Sequence, residues 1–248
     1  MDNVTIERKT LCQRERKSNI STEQGSRIYW LGRYTERVFT TLKSLERLYD
    51  KVIDRDPEHY KKYLECFGLD DIYGDYKSFF HSFIFDRNNS CSAAYSLERA
   101  YDNGIVLREE ISTEALAYLQ LGKDKLKSAE NTTQGLVVAL MPLEDILNGF
   151  YGSFIDHVYN EEIRDIFLCA KSVERVELYI RLKYRTEKII SEFERMCEFL
   201  KRIPENTPYR YDETILENLK ESVYSESFKY QRFSAISLIS RLFSGGAI

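Results

Sequence analysis

Two short stretches of this sequence hold the side chains with the most chemical potential: Arg33, Glu36 and Arg37 in the first half, and Lys171, Glu174 and Arg175 in the second. In each stretch a cation precedes a Glu-Arg doublet by three residues, a spacing that brings side chains together on one helix face. Arginine forks bind carboxylates and other anions, and a glutamate can orient an arginine or remove a proton. Glu36 and Glu174 are therefore the candidate catalytic residues of an anion-binding pocket.

The two stretches lie within an internal repeat. Residues 32–38 resemble residues 170–176, and the same shift aligns Ile28 with Ile166 among the apolar positions. Apolar residues in both segments recur at steps of three, four and seven, which is the spacing of one helix face. The shared pattern indicates two related helices that face each other in one core.

Sequence neighbours on a helix diverge, so each doublet must find its partners on another element. We expect Glu36 to pair with Arg175, and Glu174 to pair with Arg37. Spacing alone favours a structural interpretation, in which two buried ion pairs fix the register of the helices. The functional alternative is a pocket in which Arg33 and the two doublet arginines bind a carboxylate.

The rest of the pattern predicts an all-α, up-and-down multi-helix bundle with two long related helices. Eleven glycines and four prolines are few for a fold built on strands and turns. Residues 1–25 read as a flexible leader and residues 26–248 as a single helical domain, with a sub-boundary left open at 203–210. A polar link is expected over 123–133, and interruptions are expected at Pro142, Gly149 and Gly152. The predicted helices span residues 26–53, 58–67, about 71–85, 92–110, 112–121, 135–158, 161–202, 212–225 and 227–243.

Composition narrows the classes of function. A net charge of −4 provides no basic field for general nucleic-acid binding. Five cysteines without a CxxC pair are typical of reduced thiols in a cytoplasmic protein. The longest apolar stretch, residues 136–143, is too short to span a membrane. Three scattered histidines favour no metal site, and no Gly-rich phosphate loop is present, so we expect no cofactor and no ATP site.

Residues 29–37, Tyr-Trp-Leu-Gly-Arg-Tyr-Thr-Glu-Arg, resemble the signature of the alpha-E family, an all-helical group with repeated Glu-Arg motifs. The family usually has Gly and Arg where this chain has Ala170 and Lys171. The resemblance covers roughly residues 25–202. Further matching positions follow in the expected order: Asp86, Asn89, Ser92, Asn103, Arg108, Glu109, Ser112, Glu114, Glu174, Arg175 and Arg181.

The resemblance implies a bacterial context, because alpha-E proteins are often encoded beside, or fused to, circularly permuted ATP-grasp ligases. This setting implies amide- or peptide-bond formation, and from it we expect a helical accessory or co-catalytic partner of an ATP-grasp-type amide or peptide ligase that contacts the ligase or a peptide substrate. Whether the chain has an activity of its own is left open. A stand-alone enzyme with an Arg/Glu pocket for a carboxylate and a non-catalytic scaffold are the alternatives, and homo-oligomerisation is left open. The expected binding residues are Tyr29, Arg33, Glu36, Arg37, Asp86, Asn89, Ser92, Asn103, Arg108, Lys171, Glu174 and Arg175.

Overall fold

The computed structural model describes residues 18–130, 136–207 and 209–243, and this part of the chain contains helices and no strand. None of its helices is both long enough and apolar enough to cross a membrane. Single turns of 3-10 helix cover Pro57–His59 and Phe228–Tyr230. The α-helices are α1 (Thr22–Asp54), α2 (Tyr60–Phe67), α3 (Tyr76–Phe85), α4 (Ala93–Val106), α5 (Thr113–Glu130), α6 (Leu136–His157), α7 (Glu161–Arg181), α8 (Thr186–Leu200), α9 (Glu213–Tyr224) and α10 (Arg232–Arg241).

Helix α1 is the central element of this all-α bundle. It packs against α7 on one side and α4 on another, while α5 pairs with α6, and α8 and α10 both pack on α7. Its first turn is held by a capping box, in which Ser21 accepts from the Gln24 amide and Gln24 accepts from the Ser21 amide. Ile28, Leu31 and Val38, three residues of the predicted apolar stripe, are each at most 1% exposed.

The predicted leader is only partly testable, because residues 1–17 lie outside the described residues. Helix α1 begins at Thr22, four residues before the predicted start. Residues just before it are anchored, since the Ser18 hydroxyl and the Asn19 amide both donate to the carboxylate of Glu162. Ile20 is 8% exposed. The bundle therefore begins earlier than the apolar pattern indicated.

The prediction of one helix over residues 161–202 is wrong. Helix α7 ends at Arg181 and α8 begins at Thr186, and the turn between them places Lys183 in the left-handed region at φ 55°. The turn lets α8 fold back on α7 and bury Ile189 and Phe193, which a straight continuation would carry away from the core. The two related helices are therefore 33 and 21 residues long.

Other predicted boundaries and interruptions also differ from the structure. Of the polar link predicted over 123–133, residues 123–130 are helical, because α5 continues far enough to bury Leu126 and Ala129, and residues 131–133 lie outside the described residues. Helix α6 runs through Pro142, Gly149 and Gly152 without a break. At Gly149 the missing side chain serves packing, since a Cβ there would lie 2.5 Å from the Tyr118 ring.

The crossing of α1 and α7 is unusually close at Gly32. A Cβ on Gly32 would lie 2.7 Å from the backbone oxygen of Phe167 and 2.8 Å from the Cβ of Ala170. The internal repeat pairs these two small residues, so each helix presents its smallest side chain at the contact. This approach brings the charged flanks of the two helices within reach of each other.

Candidate functional site

Glu36 is the buried acceptor of the first cross-helix pair. Its carboxylate is 0% exposed and accepts two hydrogen bonds from Arg175, from Nε to Oε1 at 2.8 Å and from Nη2 to Oε2 at 2.8 Å. The Thr40 hydroxyl, one turn along α1, donates a third at 2.9 Å. This bidentate geometry is the strongest form of an arginine–carboxylate contact. The expected pairing of Glu36 with Arg175 is confirmed.

Glu174 is the acceptor of the second pair, and it binds two arginines of α1. Arg37 donates to both carboxylate oxygens, at 2.6 and 3.1 Å, and Arg33 donates through Nε. Burial alone would raise the pKa of Glu174, but the charges of Arg33 and Arg37 and their hydrogen bonds outweigh it and lower the pKa to about 2. Glu174 is therefore a charged anchor and a poor proton acceptor at neutral pH. The expected pairing with Arg37 is confirmed, with Arg33 as an additional partner.

Glu177 completes the charged layer, and the sequence analysis missed it. Its carboxylate accepts from Arg33 at 2.5 Å and from Arg181, one turn further along α7, at 3.0 and 2.8 Å. The sequence did contain a signal for Glu177, because it follows Glu174 by three residues and therefore shares its helix face. We call Arg33, Glu36, Arg37, Lys171, Glu174, Arg175 and Glu177 the Glu–Arg cluster.

Tyr29 extends the cluster toward the start of α1. Its hydroxyl accepts from Nη1 of Arg33 at 3.0 Å, and burial raises the pKa of the phenol to about 12. The ring packs against Tyr209 and Phe243, with centroids 5.3 and 4.6 Å away. Tyr29 therefore links the charged layer to the C-terminal part of the core.

Lys171 differs from the other cations of the cluster because its pairing is incomplete. Its ammonium lies 3.9 Å from Glu36, a carboxylate already bound by Arg175, and 3.0 Å from the ring centroid of Tyr151. Burial lowers the pKa of Lys171 to about 7, and the charge of Glu36 only partly opposes this effect. At neutral pH this side chain therefore carries a neutral amine for much of the time.

Three predicted binding residues form a turn between α3 and α4. The Asp86 carboxylate accepts from the Asn88 amide, and the Asn89 carboxamide bonds Ser82 and the Cys91 amide. Ser92 donates to the Asp86 carbonyl at 2.6 Å and caps α4 by accepting from the Tyr95 amide. Among the described residues these hydrogen bonds stay within the turn and its flanking helices. The structure does not bring Asp86, Asn89 and Ser92 into the Glu–Arg cluster.

Asn103 and Arg108 are also apart from the cluster. Asn103 is 8% exposed, donates to the Arg99 carbonyl at 3.0 Å and accepts from Arg27 at 3.5 Å, so it ties α4 to α1. Arg108 is exposed and pairs with its neighbour Glu109 at 3.3 Å. These two positions and the turn at 86–92 remain predictions as binding residues, at places separate from the charged layer.

Access to the Glu–Arg cluster is limited to the edges of its cations. The side chains of Glu174 and Arg33 are 1% and 6% exposed, whereas those of Arg37 and Arg175 are 23% and 18% exposed. The carboxylates of Glu36 and Glu174 are both occupied by arginine hydrogen bonds. The cluster can therefore join the two helices and offer the exposed edge of Arg37 to a ligand. In the part of the chain that the structure describes, no three His, Cys, Asp or Glu side chains are grouped to hold a metal ion.

One comparison with known proteins gives a match. The model of the Alpha-E family, described as a predicted alpha-helical domain with a conserved ER motif, matches residues 24–219. No curated protein and no solved structure matches the chain significantly. The matched region contains both Glu-Arg doublets, so the ion pairs that join α1 and α7 lie inside the family domain.

Proposed function

This chain is a member of the Alpha-E family, and from that premise we propose that it is a helical accessory or co-catalytic partner of an ATP-grasp-type amide or peptide ligase. The ligase would belong to a bacterial system of peptide synthesis or modification in the cytoplasm. In this role the chain supplies a rigid surface and a contact for the ligase or its peptide, while the ligase supplies the nucleotide chemistry.

The observation that carries the proposal is the engagement of both buried glutamates. Glu36 and Glu174 each accept two-point contacts from an arginine of the opposite helix, so they lock α1 against α7. Proton abstraction by a carboxylate with a pKa of about 2 is weak at neutral pH. The partly exposed edge of Arg37 is left to contact a partner or a carboxylate, whereas the remaining nitrogen of Arg175 pairs with Glu192 at 3.4 Å.

The direct test is reconstitution with an ATP-grasp-type ligase from the same organism. Expected results are a stable complex in size-exclusion chromatography and a ligase turnover that rises when the chain is added. Full ligase activity alone, together with no complex, would refute the proposal.

A conservative variant tests the arginine edge without removing its charge. Arg37→Lys keeps a cation opposite Glu174 but loses the fork, and the expected result is weaker stimulation of the ligase with an unchanged helical signal. Arg210→Lys is the matched control, because Arg210 is exposed and pairs only locally with Glu213. Equal stimulation by both variants would show that the Arg37 edge makes no partner contact.

A stand-alone enzyme is the second candidate, and one observation favours it. Lys171, with a pKa of about 7, places a partly neutral amine beside the Glu36–Arg175 pair. Such an amine could act as the base that Glu174 cannot be. Under this hypothesis Lys171 would replace the predicted catalytic glutamates.

Comparison of two Lys171 variants separates this candidate from the first. Lys171→Arg restores the residue usual in the family, and Lys171→Met removes the charge and keeps the length. An enzyme that uses the amine would lose turnover with both variants while the fold survives. If the chain is an accessory protein, the Lys171→Arg variant should stimulate the ligase as strongly as the wild type does.

A further inference from the structure

A second polar region lies at the C-terminal end of α1. It is an open cleft of about 280 Å³, formed where the last turns of α1 and the face of α2 meet the turn between α7 and α8. Ligand-binding clefts commonly enclose several hundred cubic ångströms. None of the side chains that line it belongs to the Glu–Arg cluster.

The cleft is lined by basic side chains at helical spacing. Arg47 and Lys51 stand four apart on α1, and His59 and Lys62 stand three apart across the start of α2, so each pair shares a helix face. No carboxylate is part of its lining. Among the described residues, neither Lys51 nor Lys62 forms an ion pair, and Arg47 bonds the Tyr184 hydroxyl at 2.6 Å rather than an acid.

The electrostatics of the cleft agree with this convergence of positive charge. Burial lowers the pKa of His59, and the charges of Lys62 and Lys51 lower it further. At the inner wall, burial raises the pKa of the Cys66 thiol, while Lys183 and Arg232 act in the opposite direction as nearby cations. Asp56 and Glu65 are the carboxylates that act on His59 and Cys66, and neither lines the cleft.

The turn that supplies one wall has an uncommon backbone. Lys183 adopts a left-handed φ of 55°, a conformation that is costly for a residue with a long side chain. The turn presents Leu182 and Tyr184 to the cleft, and Tyr184 is held by stacking on Tyr179 with centroids 4.2 Å apart. Strained, non-glycine positions occur preferentially at binding sites.

We propose that this cleft binds a small phosphorylated molecule, with its phosphate groups on Arg47, Lys51 and Lys62 and its organic part against Leu48, Leu182 and Tyr184. A carboxylate would bring only one negative charge, whereas a phosphate monoester brings nearly two and three acceptor oxygens. An arginine fork and two lysine point charges are the side chains that bind such groups. The site shares no side chain with the Glu–Arg cluster, and phosphate binding there would not require a ligase partner.

Isothermal titration of the full chain with inorganic pyrophosphate and with ADP tests the site, and adenosine and a triglutamate peptide serve as uncharged and carboxylate controls. Both phosphate probes are expected to bind, with an affinity that falls as salt is added, and ADP is expected to bind more tightly than pyrophosphate. Failure of both phosphates to bind, or binding of triglutamate in their place, would overturn the proposal. ADP no tighter than pyrophosphate would overturn the contact of the organic part.

Two adjacent lysines provide matched variants. Lys62→Gln should weaken pyrophosphate binding by roughly 10- to 100-fold, the loss expected for a charged hydrogen bond. Lys61→Gln should leave the affinity unchanged, because Lys61 lies outside the cleft and pairs with Glu58 and Asp71. Both side chains are exposed, so both variants are expected to fold, which the helical circular dichroism signal checks. Equal affinities of the two variants would place any bound phosphate elsewhere.

Discussion

Replacement of Glu174 by Gln tests whether the charged layer holds α1 and α7 together. The substitution keeps the size of the side chain and removes the charge that Arg33 and Arg37 share. Arg33 is 5% exposed, so its cation would lose a partner that water cannot replace. We expect a folded but less stable protein.

The magnitude follows from the pKa of Glu174. A fall from 4.5 in the unfolded chain to about 2 in the folded protein corresponds to about 3 kcal/mol, at 1.36 kcal/mol for each pH unit. Removal of one partner from a buried ion pair costs about 3–5 kcal/mol in other proteins. The free energy of unfolding at pH 7 should therefore fall by about 3–5 kcal/mol, a large share of the 5–15 kcal/mol typical of a folded domain.

Urea unfolding provides the assay, and the single tryptophan provides a local probe. Trp30 lies beside the cluster, with its ring centroid 5.8 Å from the guanidinium carbon of Arg33, so its fluorescence reports on the layer while circular dichroism reports on the helices. Glu198→Gln is the control, because Glu198 is exposed and such surface changes usually stay within about 0.5 kcal/mol.

The pH dependence of the stability difference between wild type and Glu174→Gln can refute this reasoning. A carboxylate with a lowered pKa stabilises the folded state fully above its unfolded value of 4.5, and this stability is lost as the pH falls toward 2. The gap between wild type and Glu174→Gln should therefore narrow by about 1 kcal/mol between pH 7 and pH 4. A gap below about 1 kcal/mol at pH 7, or one that does not narrow on acidification, would contradict the assigned role of the pair.

Two further changes test the helix crossing and the neutral lysine. Gly32→Ala would place a Cβ 2.7 Å from the Phe167 backbone oxygen and should cost about 1–3 kcal/mol in thermal unfolding, whereas Gly152→Ala, with nothing within 4 Å, should gain about 0.5–1 kcal/mol. Equal effects would exclude close packing as the reason for Gly32. Because the unfolded chain holds the Lys171 proton up to pH 10.5 and the folded protein releases it near 7, wild-type stability should rise relative to Lys171→Met by about 2 kcal/mol from pH 7 to pH 9. Parallel stability curves would show that the lysine is charged in the folded state.

Helical periodicity was sufficient to predict the all-α class and the pairing of α1 with α7. The repeat aligned Gly32 with Ala170 and the two doublets with each other, and the divergence of neighbouring side chains then favoured a pair between Glu36 and Arg175. The break at Lys183 could not be predicted, because neither Gly nor Pro marks it. The left-handed backbone of Lys183 costs free energy, and the packing of α8 onto α7 compensates for this cost. Such a tertiary effect leaves no local signal in the sequence.

The roles of charged residues were harder to predict than their contacts. Glu36 and Glu174 drew attention because Glu-Arg doublets can do chemistry, yet burial turns them into saturated anchors. Lys51 and Lys62 have ordinary sequence surroundings, and they line one cleft only because α2 packs near the end of α1, where the Tyr63 and Ser44 hydroxyls bond each other. A charge motif therefore marks where ion pairs form, whereas an open site requires charges that the fold leaves without acidic partners. In this protein the charges of the Glu–Arg cluster are paired, whereas Lys51 and Lys62 in the cleft at the end of α1 form no ion pair among the described residues. Binding studies should therefore begin at the cleft.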